Sequence, residues 1–320
     1  MVTYESGSTS NQYLSPFQSA SPTYDKAYII YRRVGRYMSA MKAIKVFRDL
    51  LSFLTIIPVG GKEDFVFTTA SNMYLFPIVG GLIGLLAGLY YIASSAIVVF
   101  LLGLINVYIA LPTAILGTLI PAAMTIAFLL VVTGLQHFDG LIDLGNAIGI
   151  RNEHDRKMKA HEWTVTYGGA ILAIAVEGLA FYGLFWIARG SVDLLLVFSA
   201  ILLAELSAKL AMVTIVWVGK PSHKGLGSIF LAKAKKKLNY AAYAISALIA
   251  FPVFFFFASP LLAVVAIALV FISIPVAFLM NRVSIAVFGG VSGDMIGATN
   301  EVSRATTLIL FGVVLMVISL

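Results

Sequence analysis

The chain has 320 residues, of which 60% are hydrophobic and 12% are charged, and it contains no cysteine. Soluble domains carry about 25% charged residues, so this composition excludes an ordinary soluble protein and indicates an all-α, polytopic membrane protein. The apolar runs are continuous, whereas a membrane barrel needs short alternating strands. Without cysteine, disulfides, thiolate nucleophiles and zinc–thiolate sites are excluded.

The first forty residues differ from the rest of the chain. They are rich in Ser, Tyr, Asn and Pro and contain no long apolar run. We therefore predict a disordered N-terminal tail at 1–40 that is not a secretory signal. Residues 41–320 predict one membrane-embedded domain. It opens with Ala43–Pro58, where apolar and charged positions alternate as in a helix that lies at the membrane interface.

Seven later runs are apolar enough to cross a bilayer, which requires about 20 residues. They are 75–106, 110–134, 169–188, 193–218, 241–258, 260–280 and 305–320. All but two of the 22 Lys and Arg residues then fall in the segments on the side of the N-terminus. The positive-inside rule makes that side cytoplasmic in a multi-pass protein of the cell membrane. Orientation and contact with anionic lipids explain the net charge of +7, so we expect the lipid bilayer and no nucleic acid as a partner.

The segment Thr133–Asp143, TGLQHFDGLID, follows directly on an apolar run. Asp139 and Asp143 are spaced i, i+4, so a helix puts both carboxylates on one face. Such carboxylates repel each other and are costly at a membrane edge, and a divalent cation would offset both costs. Asn146 extends the stripe by three residues. Carboxylate and amide oxygens suit Mg²⁺, so the stripe predicts a magnesium site.

Two neighbours of this stripe are further candidates. His137 is predicted to be a general base or a phosphate ligand, with an ordinary interfacial histidine as the alternative. Gly140 would let a substrate approach the backbone closely. The alternative interpretation of the whole stripe is a helix end with solvated acids.

A second polar segment, Phe288–Glu301, reads FGGVSGDMIGATNE. Glycines and a serine precede an acid and a helix start, a turn that can hold phosphate on free backbone N–H groups. An N-cap by Asp294, with glycines for tight packing, is the alternative. The candidate phosphate-binding or catalytic residues are Gly289, Gly290, Ser292, Gly293, Asp294 and Glu301.

Two basic features complete the set of candidates. Lys220–Ser228 is a basic, glycine-containing loop in which Lys224, Gly225 and Gly227 could clamp a phosphate. Lys209 lies i, i+4 from Glu205 inside a predicted span, where charged residues usually face an interior or a cavity.

In their order and spacing, these segments resemble the cobalamin synthase family, adenosylcobinamide-GDP ribazoletransferase, over residues 43–320. The resemblance is carried by the H-x-D-G-L-x-D core at His137–Asp143 and the later G-G-V-S-G-D-x-x-G-A at Gly289–Ala298. Shorter matches support it at Phe47–Val59, Phe76–Gly80, Thr166–Gly169 and Gly225–Gly227.

The resemblance implies the last joining step of the cobalamin nucleotide loop. In that step α-ribazole, or α-ribazole 5′-phosphate, displaces GMP from adenosylcobinamide-GDP and gives adenosylcobalamin or its 5′-phosphate. It also implies a Mg²⁺-dependent phosphotransfer. Asp139, Asp143, Asn146 and Asp294 would hold the metal, His137 would act as base or phosphate ligand, and Lys209 and Lys224 would neutralise phosphate oxygens. Glu301 would lie just outside the metal ligands.

The chain departs from the family pattern where a third aspartate is expected, since Asn146 stands there and puts metal affinity in doubt. The family's acid after a methionine–basic pair is also missing, because Met158-Lys159 is followed by Ala160, His161 and Glu162. Two other functions stay open. A CDP-alcohol phosphotransferase would also hold metals on helix-end acids, but its Ala-Arg signature is absent. A secondary transporter would use the charges within the spans, but it predicts an inverted repeat that the sequence does not display.

Overall fold

The computed structural model describes residues 41–60, 65–150, 164–191, 193–233 and 237–318. The predicted tail at 1–40 and the segment Met158–Glu162, where the family's acid is missing, lie outside the described residues. Two short 3₁₀ segments, Met73–Leu75 and Lys237–Tyr240, precede longer helices. The helices are α1 (41–54), α2 (Phe65–Ser71), α3 (Phe76–Asn106), α4 (Thr113–Val132), α5 (Gln136–Ala147), α6 (Tyr167–Gly190), α7 (Leu194–Val218), α8 (Leu226–Lys233), α9 (Ala241–Phe257), α10 (Pro260–Val270), α11 (Ser273–Phe288) and α12 (Gly293–Ile318).

The described part of the chain contains seven helical segments that are long and apolar enough to cross a membrane. This confirms the predicted all-α polytopic class. Five of the seven segments agree with the predicted spans to within three residues at each end. The sixth, Pro260–Phe288, consists of α10 and α11 in succession and ends beyond the predicted 280. The predicted last span, 305–320, is too short at its start, because α12 begins at Gly293. The polar residues before 305 lowered its hydropathy, yet most of them are buried within the bundle.

Helix α7 is the centre of the bundle. Every residue from Val197 to Val216 is buried, and α3, α9, α11 and α12 pack around it. The approach of α3 depends on glycines spaced four apart. A Cβ atom at Gly84 would lie 2.6 Å from Leu202 Cα, and one at Gly80 would lie 2.7 Å from the Glu205 carbonyl oxygen. Small residues allow the same close packing in other membrane bundles.

With seven spans, α5, the α7–α8 loop and the α11–α12 turn all fall on the side that carries α1 and α2. The α1 helix ends at residue 54 rather than at the predicted 58. The chain then turns, and Ile56 N donates to Val132 O at the end of α4 (2.8 Å). The polar segments of the sequence are therefore neighbours on one face of the bundle, as the span count predicted.

Candidate active site

A tight turn at the end of α4 sets the direction of α5. Gly134 and Leu135 both adopt the left-handed conformation, with φ of 66° and 61°. Among the described residues Leu135 is the one non-glycine residue with positive φ, and a bulky side chain is costly there. Asp139 and Asp143 follow on α5, four residues apart on one helical face. The turn therefore fixes the start of the helix that carries both acids.

Gly140 brings α5 against the first turn of α12. A Cβ atom at this position would collide with the carbonyl oxygen of Asp294 and lie 3.0 Å from Ala298 N. The predicted role of Gly140, to admit a substrate to the backbone, is therefore wrong, because the neighbouring helix fills that space. The close contact at Gly140 instead brings Asp294 near Asp139 and Asp143.

The three carboxylates of Asp139, Asp143 and Asp294 influence each other. Burial raises the pKa of Asp139, and the charge of Asp294 raises it further. Burial, then Asp294 and then Asp139 raise the pKa of the half-buried Asp143 to about 7. Burial comes first and the charge of a neighbouring acid second, and both disfavour the ionised carboxylate.

Mg²⁺ can be tested against these acids. Among the described residues, no three acidic or histidine side chains converge closely enough to hold an ion by themselves. Mg²⁺, however, usually keeps several waters and binds one or two protein carboxylates together with the phosphates of a substrate. Oxygen ligands that repel each other beside an open cavity fit that mode of binding, so the acids of α5 and α12 are compatible with the ion.

A cavity of about 560 Å³ lies beside the acids. Asp139, Asp294 and His137 line it from α5 and α12, with Gln136, Gly293, Ile296 and Gly297. The α7–α8 loop adds His223. Pockets of about 300–1,000 Å³ with a few polar groups are typical small-molecule sites.

Another side of the cavity is an aromatic wall, defined here as Phe53, Phe65, Phe76 and Phe230. The ring centroids of Phe53 and Phe230 are 4.9 Å apart, and those of Phe76 and Phe230 are 6.3 Å apart. These residues come from α1, α2, α3 and α8. Phe53 and Phe76 lie in the short family matches at Phe47–Val59 and Phe76–Gly80, but no local pattern brought the four rings together, so sequence analysis missed the wall.

His137 is buried at the base of the cavity. Its Nδ1 lies 3.7 Å from Glu301 Oε1 and has no hydrogen-bond partner among the described residues. Burial, followed by the positive charges of Lys209 and Arg304, holds the pKa of His137 well below its ordinary value. The imidazole is therefore neutral at neutral pH and has a lone pair that can accept a proton.

Behind His137 lies a buried ionic network. Arg304 donates to both Glu205 (Nε to Oε1, 2.5 Å) and Glu301. Lys209 Nζ donates to Asn300 Oδ1 at 2.7 Å and lies 3.4 Å from Glu205 Oε2. All of these side chains are almost completely inaccessible.

This network changes the predicted role of Lys209. Lys209 is not on the cavity surface, so it influences the site through its field rather than by contact with a phosphate. Glu301 behaves as predicted in one respect, since it lies behind the lining residues. Arg304 was counted only as a surface charge, although its i, i+3 spacing from Glu301 in an apolar segment was a signal of pairing.

The α11–α12 turn packs against the α7–α8 loop instead of forming an open phosphate cradle. Val291 N donates to Lys220 O (2.7 Å), and a Cβ atom at Gly290 would lie 2.6 Å from the same oxygen. Gly289 ends α11 with φ of 74°. Gly227 lies against the backbone of Ser292, where its Cβ would be 2.8 Å from the carbonyl carbon. Gly290 and Gly227 therefore serve packing and Gly289 serves as the left-handed end of α11, contrary to the prediction.

The start of α12 agrees better with the prediction. Ser292 caps the helix by accepting from Met295 N (3.3 Å) and donates to Asp294 Oδ2 (3.2 Å). Gly293 lines the cavity. Lys224 and Gly225 are exposed in the loop beside it. The N-cap interpretation is correct, but the cap is Ser292 rather than Asp294.

Asn146 is engaged elsewhere. Its Oδ1 accepts from Thr166 N (2.9 Å) and Thr166 Oγ1 (2.7 Å), and its Nδ2 donates to Thr164 O (3.0 Å). Coordination of a metal would compete with both bonds to the oxygen. We therefore withdraw Asn146 as a metal ligand. Its side chain links the end of α5 to the start of α6.

The chain is similar to known proteins over most of its length. No solved structure matches it. Among curated proteins, adenosylcobinamide-GDP ribazoletransferase of Methanocella arvoryzae is 32% identical, over 84% of this chain and 95% of its own length. The proteins of the same name from Methanosarcina barkeri and Methanosarcina mazei are 30% and 32% identical, each over 84% of this chain and 92% of its own length. The family model for cobalamin-5-phosphate synthase matches residues 46–312, and the chain belongs to that family.

Proposed function

We propose that this protein transfers the cobinamide phosphoryl group of adenosylcobinamide-GDP to α-ribazole or α-ribazole 5′-phosphate, with release of GMP. The observation that carries the proposal is the meeting of α5 and α12 across Gly140. That contact brings three acids together, and two of them, Asp139 and Asp294, line a cavity with His137 that has one polar and one aromatic side. Family membership favours this transferase over a CDP-alcohol phosphotransferase or a secondary transporter.

The reaction is a displacement at phosphorus. A ribose hydroxyl of the acceptor attacks the phosphorus bonded to cobinamide, the bond to the bridging oxygen of the diphosphate breaks, and GMP leaves with that oxygen. When α-ribazole 5′-phosphate is the acceptor the product keeps its 5′-phosphate, so the attacking hydroxyl is not the 5′ one. Such transfers depend mainly on positioning and charge neutralisation.

Asp139, Asp143 and Asp294 would hold Mg²⁺ on the diphosphate. The ion would supply positive charge to the diphosphate and to the departing GMP. The acids themselves repel an unaccompanied diphosphate, which makes productive binding dependent on the cation. The family resemblance and the oxygen ligands support this assignment.

His137 is suited to accept the proton of the attacking hydroxyl. The position of Nδ1 near the Glu301 carboxylate (3.7 Å) favours a tautomer with the proton on that nitrogen. The other nitrogen, Nε2, is then the acceptor. Glu301 is in turn held by Arg304 and Asn300, so residues of α12 fix the carboxylate that lies near Nδ1.

The cavity would open to the cytoplasm of a cell-membrane protein. The segments on its side of the bundle carry most of the basic residues of the chain, as the positive-inside rule requires of cytoplasmic loops. Exposed Lys224 beside the cavity would attract the anionic donor.

The test is direct. The protein, purified in detergent, is incubated with adenosylcobinamide-GDP, α-ribazole and Mg²⁺, and products are separated and identified by mass. From the wild type we expect adenosylcobalamin and GMP in equal amounts. Asp143→Asn, whose side chain keeps the shape of the aspartate, should give neither product. Release of GMP without adenosylcobalamin would indicate a hydrolase, and no consumption of the donor would contradict the proposal.

A further inference from the structure

We infer that the aromatic wall is the subsite for the base of the acceptor nucleoside, and that it selects an apolar bicyclic base with one acceptor nitrogen. This inference rests on the proposed function. It assigns the two substrates to different parts of the site, with the α-ribazole base against the phenylalanines and the diphosphate of the donor at the acids.

The first argument is size. The cavity of about 560 Å³ can enclose a ligand of nucleoside size. A corrin ring with its peripheral amides and adenosyl group is far larger, so the corrinoid has to stay outside. The candidates for the enclosed group are therefore the guanosine of the donor and the α-ribazole of the acceptor.

The second argument is chemistry. The aromatic wall, with Val66 and Met212 beside it, presents hydrocarbon and sulfur to the cavity. Guanine has several hydrogen-bonding groups along its edge, and burying them against such a surface leaves them unpaired at a substantial cost. Dimethylbenzimidazole, the base of α-ribazole, has an apolar edge and stacks on phenylalanine without that cost.

The third argument is Ser52. On the helices that supply the wall, it is the one polar residue among the described lining residues, and it directly precedes Phe53. Its Oγ is buried and has no hydrogen-bond partner in the described part of the chain. A buried hydroxyl without a partner is unusual in a helix, where the carbonyl four residues earlier is normally available. The free ring nitrogen of a benzimidazole riboside is an acceptor that this hydroxyl can satisfy.

The main experiment compares Michaelis constants for the two substrates in wild type and Phe230→Leu. We expect the KM for α-ribazole to rise about tenfold, the size of one lost stacking contact, while the KM for adenosylcobinamide-GDP stays the same. Phe256→Leu is the matched control, because Phe256 is 77% exposed on α9 and not part of the cavity lining. A rise in the KM for the donor alone would assign the wall to guanosine or the corrinoid and overturn the inference.

A smaller change tests Ser52 without disturbing the core. Wild type should bind α-ribazole more tightly than the α-riboside of 5,6-dimethylindole, which has carbon in place of the acceptor nitrogen. Ser52→Ala should bind the two equally, at the weaker level. If Ser52→Ala keeps the full preference for the benzimidazole, the hydroxyl does not contact the base and that part of the inference is wrong.

Equilibrium binding of α-ribazole alone separates this inference from the proposed function. Binding that weakens in Phe230→Leu, from a wild type that produces no GMP, would uphold the wall as a base subsite and reject the transferase. Turnover with unchanged constants and unchanged α-ribazole binding in folded Phe230→Leu would uphold the transferase and reject the subsite.

Discussion

Gly140 on α5 lies directly against the carbonyl oxygen of Asp294 on α12, with no room for a Cβ atom between the two helices. The contact joins segments that are more than 150 residues apart in the sequence. It is the reason that the acid pair of α5 and the acid of α12 belong to one site.

Gly140→Ala should therefore separate the acids. The added methyl group has only backbone to displace, so we expect turnover to fall by at least tenfold, in line with the sensitivity of catalysis to misplacement of about 1 Å. The measurement is product formation at saturating Mg²⁺. Gly178→Ala is the control, because a Cβ there meets nothing within 4 Å. It should keep full activity. Its free energy of unfolding should rise by about 0.5–1 kcal/mol, as is usual when Ala replaces Gly in a helix.

Asp143→Asn should lower the activity and raise the stability of the protein. The variant removes a half-buried charge that is repelled by Asp139 and Asp294. In EDTA we expect its unfolding midpoint to exceed that of the wild type by a few degrees, since about 1 kcal/mol shifts the Tm of a protein of this size by roughly 2–4 °C. Added Mg²⁺ should raise the midpoint of the wild type but not of the variant.

Activity is the second measurement on the acid pair. Asp139→Asn and Asp143→Asn should each lower turnover by orders of magnitude while the protein stays folded in detergent. Near-normal turnover of Asp139→Asn at saturating Mg²⁺ would remove the basis for the metal assignment.

Variants of Asn146 distinguish a metal ligand from a structural link between α5 and α6. Because both ends of its amide are bonded to residues 164 and 166, Asn146→Ala should lower the unfolding midpoint but leave the Mg²⁺ concentration for half-maximal rate unchanged. Asn146→Asp should also be destabilising, because a carboxylate cannot donate to Thr164 O. Tighter Mg²⁺ binding by Asn146→Asp would restore the ligand role that the sequence predicted.

Arg304 is the residue whose loss the fold should tolerate least. Arg304→Met leaves Glu205 and Glu301 buried without their common partner, and breaking such a pair typically costs about 3–5 kcal/mol. Arg304→Lys keeps the charge but cannot reach both acids with a rigid fork. Its stability should therefore lie between those of the wild type and Arg304→Met. Thermal unfolding in detergent measures the order. Arg282→Met, at an exposed position on α11, should change the midpoint little.

Orientation can be tested with single cysteines in this cysteine-free chain. Lys224 and Tyr108 are both exposed, on opposite ends of the spans. In intact cells an impermeant thiol reagent should label Tyr108→Cys and spare Lys224→Cys, and lysis should make both reactive. Labelling of Lys224→Cys alone from outside would reverse the proposed topology.

The sequence by itself determined the membrane class, the number of spans, the bounds of five of them and the acid stripe on α5. These follow from composition and from the spacing of residues within one segment, because a bilayer requires long apolar helices and a helix aligns positions i and i+4. The early start of α12 escaped prediction for the same reason. Hydropathy treats Asn300, Glu301 and Arg304 as exposed to lipid, whereas they are paired inside the bundle.

Only the tertiary structure decided which residues share the site. The sequence does not show whether a glycine makes room for a substrate or for a neighbouring helix or loop. In the structure, Gly140, Gly227 and Gly290 make room for helices and loops. Asn146 continues the acid stripe in sequence, yet hydrogen bonds to a residue twenty positions later occupy its amide. The aromatic wall draws on α1, α2, α3 and α8, and no local pattern records contacts between residues so far apart. Long-range packing decides these roles, because it fixes which polar groups are already satisfied and which remain free for a ligand.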